Sequence, residues 1–442
     1  MRIAFIRPSM TGARSRDAME PLVFAILAAR TPRDVETVLY DERLAPIPLD
    51  APADLAAITV ETYTARRAYQ IADAFRARGV PVVMGGYHPT FLPDEALQHA
   101  DAVVIGDADG IWPDVVRDAA RGRLHARYQQ DELPPLAGVQ PDRRIFAGKR
   151  YAPAALVQYG RGCRYACEFC SIRAFYGSTL RQRPVDEVVA EIRATGRKHV
   201  FLVDDNIFVD IPKAKELFAA LIPLGIRWSC QVSIDVTGDA ELLRLMQASG
   251  CFSAVIGFES LNAGSLRQMK KGWNLKHGDY AHAVTRLRDH GIMVYGSFVF
   301  GYDADTVDSF DPTVDFAIAH KFFVGNFNPL TPMPGSQLYA RLEREGRLVY
   351  PQWWLDPAYR YGEAIFEPRG MTRAQLTAGA FRARRRFHSW QSIARRGLDR
   401  RCNARSLYRA GIHVAANAVA RREILTKQGT PLGAPTARIE AL

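Results

Sequence analysis

Three cysteines stand close together in the segment Cys163-Arg-Tyr-Ala-Cys167-Glu-Phe-Cys170. Their spacing is C-x₃-C-x₂-C, and they follow an apolar run, 154–157, that predicts a strand. Thiolates are soft ligands that suit iron–sulfur clusters, and a short loop can direct three sulfurs towards one metal group. Because a fourth cysteine is missing nearby, one iron of such a cluster would lack a protein ligand and would be open to a substrate-like molecule.

A zinc knuckle or a set of buried thiols is the alternative interpretation of this trio. Structural zinc sites generally take four protein ligands, and neither a histidine nor a further cysteine completes a set here. Cys230 and Cys251 lie in strand-like or apolar context, and Cys402 lies in a basic tail. The spacing therefore favours an iron–sulfur cluster.

With Phe169 as the aromatic residue before the last cysteine, the segment resembles the C-x₃-C-x-aromatic-C hallmark of the radical S-adenosylmethionine (SAM) superfamily. The resemblance implies that Cys163, Cys167 and Cys170 hold a 4Fe-4S cluster whose fourth iron is chelated by the methionine part of SAM. It also implies that the reduced cluster cleaves a C–S bond of SAM and releases an alkyl radical. We therefore expect an enzyme, with a transferase as the first interpretation.

The N-terminal part of the chain alternates strand and helix patterns, which predicts an α/β fold with a Rossmann-like, doubly wound parallel sheet. The predicted strands are 2–6, 36–40, 55–60, 81–84 and 102–105. In such sheets ligands lie beyond the carboxyl ends of the strands, where glycines let a bulky ring or a phosphate approach the backbone. The candidate ligand-binding residues at that edge are Gly12, Thr62, Gly85, Gly86 and Gly106.

Two segments near this edge, Met84-Gly-Gly-Tyr-His-Pro-Thr-Phe-Leu-Pro-Asp94 and Val104-Ile-Gly-Asp-Ala-Asp109, resemble the cobalamin-binding domain of cobalamin-dependent radical SAM enzymes. The resemblance implies that the edge residues contact cobalamin. The D-x-H-x-x-G signature, which supplies a cobalt ligand in other cobalamin proteins, is absent from the loop after the first strand. His88 is an alternative cobalt ligand, but we expect its side chain to bond to backbone or to face solvent. The alternative is a Rossmann-like scaffold that has lost its cofactor.

From residue 154 onward the alternation resumes and predicts a partial, TIM-like (βα)₆ barrel. The strand candidates are 154–159, 199–203, 227–232, 252–257, 293–300 and 323–328. The chemistry of such barrels gathers at the carboxyl ends of the strands. In the radical SAM family these ends hold SAM, so the resemblance implies SAM contacts from Phe169, Asp204, Asp205, Ser233, Glu259 and Gly301.

Each of these SAM assignments has a structural alternative. Asp204 or Asp205 could instead cap the helix that starts near Ile211. Glu259 could pair with an arginine such as Arg267, because buried carboxylates are costly without a partner. The sequence assigns no further catalytic residue.

The predicted domains are a Rossmann-like, cobalamin-binding-type domain (1–125), a linker (126–150), the radical SAM partial barrel (151–340) and a helical C-terminal region (341–442). In the last region we predict helices at 372–396 and 404–428. The aromatic residues Trp353, Trp354, Tyr359 and Tyr361 are predicted to be core residues rather than a cofactor site.

The 442-residue chain has 48% apolar and 24% charged residues, which is typical of a soluble globular protein. Six cysteines do not make a disulfide framework, and an oxygen-sensitive cluster needs reducing conditions, so we expect a cytoplasmic protein. No secretory signal and no membrane-spanning run are predicted. The net charge is +11, and the arginine-rich run 381–401 favours a solvated helix face over contact with nucleic acid.

The first functional hypothesis is that cobalamin relays a methyl group from SAM to an unactivated carbon or phosphorus of a small metabolite in specialised biosynthesis. An electron donor such as flavodoxin or ferredoxin would reduce the cluster. The second hypothesis keeps the cluster without cobalamin and predicts another radical reaction, such as aminocarboxypropyl transfer or a skeletal rearrangement. The third is an RNA-modifying enzyme, but aromatic residues are not interleaved with the arginines as a single-strand platform requires.

Overall fold

The computed structural model describes residues 1–208, 210–277 and 279–433, and it divides into two compact units. The first unit comprises Met1–Pro153, Gln352–Tyr359 and the segment that starts at Thr430. The second comprises Ala154–Pro351 and Arg360–Gly429. The domain boundaries given above stay predictions.

The first unit contains a six-stranded parallel sheet with strand order β2-β1-β3-β4-β5-β6. Its strands are β1 (Arg2–Arg7), β2 (Glu36–Asp41), β3 (Leu55–Thr59), β4 (Val82–Gly85), β5 (Ala102–Ile105) and β6 (Arg127–Gln129). Its helices are α1 (Leu22–Arg30), α2 (Ala65–Ala77), α3 (Tyr87–Phe91), α4 (Pro93–Ala96) and α5 (Trp112–Ala120). The strand order reverses at β1, which has β2 on one side and β3 on the other. Doubly wound sheets bind ligands outside the carboxyl ends of the strands at such a reversal.

Continuous apolar runs form the central strands of this sheet. In β1, the four residues from Ile3 to Ile6 are fully buried, as expected for a parallel strand that is covered on both faces. The predicted apolar face of α2, which includes Ala72 and Phe75, is also fully buried. The five predicted strands are present. The edge strand β6 was missed, because only Tyr128 of its three residues is buried and the segment falls inside the predicted linker.

The second unit contains another six-stranded parallel sheet, with strand order β14-β13-β12-β11-β10-β7, and a two-stranded antiparallel sheet formed by β8 and β9. Its strands are β7 (Ala155–Val157), β8 (Gly160–Arg161), β9 (Arg181–Gln182), β10 (His199–Leu202), β11 (Arg227–Val232), β12 (Cys251–Glu259), β13 (Met293–Phe300) and β14 (Val324–Pro329). Its helices are α6 (Ser171–Tyr176), α7 (Val185–Thr195), α8 (Ile211–Leu221), α9 (Ala240–Ala248), α10 (Ala263–Gln268), α11 (Tyr280–Asp289), α12 (Phe310–Ala319), α13 (Gln337–Arg344), α14 (Arg373–Phe387), α15 (Trp390–Gly397) and α16 (Leu407–Lys427).

Neighbouring strands of the large sheet follow one another along the chain and are joined by helices, which confirms the predicted partial barrel. All six predicted strands are present, with ends that differ from the prediction by at most two residues. The strand β12 is longer than predicted and includes Glu259 as its last residue. In the described part of the chain no ladder joins β7 to β14, so the barrel is open at these two edges.

The helix predicted at 372–396 is wrong as a single element, because the chain forms α14 and α15 with a break at His388 and Ser389. Ser389 has extended backbone, and its hydroxyl accepts a hydrogen bond from the N–H of Ser392, so that it caps a new helix. The fully buried guanidinium of Arg396 then donates to the carbonyls of Phe322 and Phe323, at 2.8 Å each. These contacts fix α15 against the start of β14.

The arginines of the run 381–401 include buried residues and residues that form ion pairs on the surface of the second unit. The side chains of Arg384 and Arg396 are buried. On the surface, Arg386 pairs with Asp315, and Arg401 pairs with Asp289 at 3.0 Å. This arrangement supports the interpretation of the run as a packed and solvated helix face.

Among the described residues, no helix combines the length and the apolar composition that crossing a bilayer requires.

Candidate functional site

The three predicted cluster cysteines lie on one loop of the second unit. The strands β8 and β9 pair in antiparallel fashion, with Gly160 opposite Gln182, so that residues 162–180 form an excursion closed at its base. Cys163, Cys167 and Cys170 lie on this excursion, are partly buried and form no disulfide. We call residues 162–180 the cysteine loop.

The base of the cysteine loop depends on Gly162, which has a φ of +97°. A Cβ at this position would stand 1.9 Å from the carbonyl oxygen of Thr179, so only glycine allows the two ends of the loop to approach. The N–H of Gly162 donates to Oδ2 of Asp205 at 2.8 Å. Asp205, one of the predicted SAM-binding residues, therefore also anchors the loop.

The sulfurs of Cys163 and Cys170 accept hydrogen bonds. The backbone N–H of Tyr165 and the side chain of Asn206 donate to the sulfur of Cys163. Two backbone N–H groups from the first turn of α6 donate to the sulfur of Cys170. Hydrogen bonds to sulfur stabilise and tune iron–sulfur clusters, so this environment fits thiolates that carry a cluster.

Among the described residues, no three His, Cys, Asp or Glu side chains converge as the ligands of one metal ion would. The cysteines of a 4Fe-4S cube bind different irons, so their sulfurs need not meet at one point. Near the loop, Oδ1 of Asn206 and Nε1 of Trp273 are buried and have no hydrogen-bond partner. Such unsatisfied atoms are expected where a polar ligand binds.

Glu168, between the second and third cysteines, ties the loop to the barrel. Its backbone N–H donates to the carbonyl of Met269 at 3.1 Å, and its own carbonyl accepts from Leu338 N at 3.0 Å. Its buried carboxylate accepts two hydrogen bonds from Arg341. Glu168 was not predicted from the sequence as a residue of the site. A buried carboxylate requires a cationic partner, so its place between two cluster cysteines could have indicated this role.

Asp204 holds the chain that leads into the cysteine loop. Its Oδ2 accepts from the N–H of Tyr159 at 3.2 Å, and its Oδ1 accepts from the N–H of Gly160. Burial raises the pKa of Asp204 to about 7. The alternative role for Asp204 or Asp205 as a helix cap is wrong, because Asp210 caps α8 instead. The SAM contacts of both residues stay predictions.

Ser233 is connected to the cysteine loop through Asn206. The amide nitrogen of Asn206 lies 2.8 Å from Oγ of Ser233, and the same side chain donates to Cys163. Asn206 was not predicted from the sequence as a residue of the site. The structure brings a predicted SAM-binding residue and a predicted cluster ligand into one hydrogen-bonded group.

Glu259 pairs with Lys271, so the expected pairing with Arg267 is wrong. The Nζ atom of Lys271 lies 2.8 Å from Oε1 of Glu259 and 2.8 Å from the carbonyl oxygen of Gly257. Lys271 was missed because the local sequence Lys270-Lys271 has the composition of an exposed basic turn, and nothing local shows which lysine is buried.

The remaining two predicted SAM-binding residues are packed against protein. Gly301 has a φ of +118°, and its N–H donates to Asp305 at 3.0 Å. A Cβ there would stand 2.8 Å from Leu376 and 3.0 Å from Phe366, so close packing already requires glycine. Phe169 packs, partly buried, against the core of the barrel. Their contacts with SAM stay predictions.

In the first unit, the five predicted cobalamin-binding residues all lie at the carboxyl edge of the sheet. Gly12 follows β1 and Thr62 follows β3, the two neighbouring strands at which the order reverses. Gly85 ends β4, Gly86 comes next, and Gly106 follows β5. The structure thus brings the five to one edge, and their binding of cobalamin stays a prediction.

Thr90, which the sequence analysis did not assign, joins two of these turns. Its hydroxyl donates to the carbonyl of Gly86 at 2.8 Å and accepts from the N–H of Gly106 at 3.0 Å. Gly86 has a φ of +109°, and a Cβ there would stand 2.8 Å from the carbonyl oxygen of Val60. Gly106 has a φ of +82° and open space where a side chain would stand, which leaves its backbone accessible to a ligand.

The side chain of His88 forms no backbone hydrogen bond and does not face solvent, so that expectation is wrong. The ring is fully buried, with Nε2 lying 2.9 Å from Glu95 and 3.1 Å from the hydroxyl of Tyr69. Its Nδ1 lies 3.4 Å from Oγ1 of Thr62. Since both ring nitrogens face protein groups, the structure gives no support to His88 as a cobalt ligand.

Glu95 is the centre of this buried network. Nε1 of Trp354 donates to both carboxylate oxygens, at 3.0 and 3.1 Å. Burial alone would raise the pKa of Glu95, but hydrogen bonds from His88 and Tyr69 outweigh it and lower the pKa. The predicted core role of Trp354 is consistent with its complete burial, and its indole N–H adds a specific contact to that role.

A family model described as the radical SAM superfamily matches residues 157–317. The chain is 32% identical over 389 residues to the bacteriochlorophyllide d C-12(1)-methyltransferase of Chlorobaculum tepidum, covering 85% of this chain and 84% of that protein. It is 30% identical over 351 residues to the bacteriochlorophyllide d C-8(2)-methyltransferase of the same organism, covering 75% and 78% of the two chains.

Solved structures with the same fold include TsrM from Kitasatospora setae, a radical SAM methyltransferase with cobalamin and a [4Fe-4S] cluster bound. It has a TM-score of 0.62 and 17% identity, covering 78% of this chain and 75% of that one. OxsB, a cobalamin-dependent SAM radical enzyme, has a TM-score of 0.56 and 14% identity, covering 78% and 55%. These comparisons confirm that the protein is an enzyme with transferases as its relatives. The chain belongs to the radical SAM superfamily.

Proposed function

We propose that this enzyme transfers a methyl group from SAM, by way of cobalamin, to an unactivated carbon of a small metabolite. The observation that carries the proposal is the cysteine loop. Its three cysteines form no disulfide, two of their sulfurs accept N–H hydrogen bonds, and the chain is related along most of its length to methyltransferases. When bound, the cluster and SAM supply a carbon-centred radical, and cobalamin supplies a carrier for the methyl group.

Different residues of the second unit would hold the cluster and SAM. Cys163, Cys167 and Cys170 provide the thiolates. Asn206 supports the first of these sulfurs and orients Ser233 at the neighbouring strand end. The resemblance assigns SAM contacts to Phe169 in the cysteine loop and to the strand-end residues Asp204, Asp205, Ser233, Glu259 and Gly301. Asp204 and Asp205 also fix the base of the loop, so their loss would affect the cluster as well as SAM.

In the first unit, the proposed cobalamin site is the carboxyl edge of the parallel sheet. Support comes from the strand reversal at β1, from the open space beside Gly106 and from the rigid link that Thr90 forms between two glycine turns. Because His88 is engaged by Glu95 and Tyr69, cobalamin would bind without this histidine as a cobalt ligand.

A tetrapyrrole is the substrate class to test first. Two relatives that share 30% identity or more over at least three quarters of this chain are described as bacteriochlorophyllide methyltransferases. We also propose that the enzyme works in a reducing compartment such as the cytoplasm, and that an electron donor such as flavodoxin or ferredoxin reduces the cluster.

The test uses anaerobically reconstituted protein, a strong reductant, hydroxocobalamin and SAM with a deuterated methyl group, incubated with chlorophyllide-type tetrapyrroles. The proposal predicts a product heavier by one deuterated methyl group, together with S-adenosylhomocysteine and 5′-deoxyadenosine. The Cys167→Ala variant is the control and should form neither the product nor 5′-deoxyadenosine.

To test cobalamin dependence, the protein is produced without cobalamin, and the assay is run with and without added cobalamin. Product formation that is unchanged by this omission would contradict the proposed route. Methylthioadenosine in place of 5′-deoxyadenosine would instead favour transfer of the aminocarboxypropyl group.

A further inference from the structure

A buried ion pair lies at the carboxyl end of β12. The ammonium of Lys271 and the carboxylate of Glu259 are 2.8 Å apart, and their side chains are only 8% and 9% exposed. Burying two charges carries a desolvation penalty that their attraction does not always recover. A pair of this kind is therefore a candidate for a functional role.

The backbone around the pair is shaped to accommodate it. Glu259 has a φ of +64°, which is rare for a residue with a side chain. The strand pairing is irregular between Gly257 and Glu259. A Cβ at residue 257 would stand 2.1 Å from the Glu259 carboxylate and 2.7 Å from Nζ of Lys271, so glycine makes room for both groups. Backbone strain of this kind concentrates at functional sites.

The residues on either side of Lys271 hold it against the cysteine loop. Two residues before it, the carbonyl of Met269 accepts a hydrogen bond from the N–H of Glu168 at 3.1 Å. Two residues after it, the ring of Trp273 stacks on Tyr165 with 3.8 Å between the centroids. Glu168 and Tyr165 lie on opposite sides of Cys167 in the chain, so the segment around Lys271 is fixed beside this cysteine.

The electrostatic effect of Lys271 on Cys167 is larger than that of Glu259. Lys271 is near enough to Cys167 to attract negative charge on its sulfur, more strongly than Glu259 repels it. Lys271 attracts negative charge on the sulfur of Cys163 as well. The ion pair therefore has a net effect that favours negative charge on these cysteine sulfurs.

We propose that Lys271 raises the reduction potential of the 4Fe-4S cluster and that Glu259 moderates this effect as the counter-charge. A reduced cluster carries one more negative charge than an oxidised one, and a nearby buried cation stabilises that charge. Lys271 thus acts on the cluster through its charge and without binding to it. The inference rests on the proposed function, because it requires a cluster on the three cysteines.

The test is a redox titration of the reconstituted holoenzyme without SAM, followed by electron paramagnetic resonance. At the potential where the wild-type cluster is half reduced, Lys271→Met should lower the ratio of reduced to oxidised cluster about tenfold, which is about 59 mV for one electron. Glu259→Gln should shift the ratio in the opposite direction. The control is Lys270→Met, which removes an exposed lysine that bonds to Gln337 and should leave the ratio within about twofold of the wild type.

The opposite signs of the two shifts separate a field effect from structural damage, which would move both variants in the same direction. Shifts of equal sign, no shift in either variant, or an equal shift in Lys270→Met would overturn the inference. If Lys271→Met holds no cluster, the direction of the shift in Glu259→Gln decides the test, and only a higher ratio of reduced to oxidised cluster supports the inference.

Iron and sulfide analysis of each protein comes before the redox titration. A wild type without a cluster overturns the proposed function as well, whereas unshifted variants with full clusters overturn this inference alone.

Discussion

The carboxylate of Glu168 accepts hydrogen bonds from Nε and Nη2 of Arg341, at 2.7 and 3.2 Å. Only 9% of the Glu168 side chain and 19% of the Arg341 side chain are exposed. This two-point contact joins the cysteine loop to α13. Because Glu168 lies between Cys167 and Cys170, the pair controls where these two sulfurs stand.

Arg341→Met should weaken the cysteine loop, because it leaves the Glu168 carboxylate buried without its cation. Removing one partner of a buried pair costs about 3 kcal/mol or more. We expect a lower thermal midpoint and less than half of the wild-type iron after anaerobic reconstitution. Arg344→Met is the matched control, since Arg344 is an exposed arginine on the same helix. Equal iron content in the two variants would show that the pair does not position the loop.

Gly162→Ala should abolish cluster assembly. Its Cβ would overlap the carbonyl oxygen of Thr179, and the φ of +97° is unfavourable for alanine. Gly177→Ala provides the comparison within the same loop, because Gly177 also has a positive φ of +61° but open space around its Cβ. We expect this second change to cost about 1 kcal/mol and to keep the cluster. Iron and sulfide analysis of both variants checks the prediction, and cluster retention in Gly162→Ala would contradict it.

His88→Gln should lower the stability of the first unit without changing cobalt coordination. The change disturbs the hydrogen bonds among His88, Glu95 and Tyr69, and leaving one buried polar group unsatisfied costs about 1–3 kcal/mol. In cobalamin-loaded protein reduced to the cobalt(II) state, electron paramagnetic resonance should show identical spectra for wild type and variant. A nitrogen splitting that is present only in the wild type would instead identify His88 as a cobalt ligand.

Acid should destabilise the second unit partly through His388. Burial lowers the pKa of this histidine to about 4, and its Nε2 lies 3.1 Å from the carbonyl oxygen of Gly325. The unfolded chain takes up a proton near pH 6.5. The stabilising effect of the neutral ring is therefore complete above about pH 6.5 and is lost as the pH falls towards 4.

Between pH 7.5 and 5.5 this linkage should remove about 1 kcal/mol of stability. His388→Gln keeps a donor for the Gly325 carbonyl but does not titrate. Its thermal midpoint should fall less over this interval than that of the wild type. Parallel pH profiles for the two proteins would rule out His388 as the titrating group.

The sequence predicted the strands well because parallel strands covered on both faces are continuous apolar runs. Residues 3–6 and 55–58 are examples, and the alternation with helices then gives the topology. The edge strand β6 was missed because it buries a single residue, Tyr128. Local composition does not distinguish such a segment from a linker.

The site was only partly predictable because several of its contacts are long-range. The cysteine spacing is local and identifies the loop. The partner of Glu168 is Arg341, 173 residues later, and the Glu95 carboxylate meets Trp354 across 259 residues. No local pattern encodes such pairings, and for the same reason the choice of Lys271 over Lys270 as the buried lysine became visible only in the folded chain.

The central claim is that three cysteines hold a 4Fe-4S cluster whose open iron binds SAM. Electron paramagnetic resonance of the reconstituted and reduced protein, recorded before and after addition of SAM, tests this claim most directly. The account predicts a reduced-cluster signal that changes shape when SAM is added and that is absent from the variant with Cys163, Cys167 and Cys170 all changed to alanine. A wild-type protein with no signal, or a signal that SAM leaves unaltered, would contradict it.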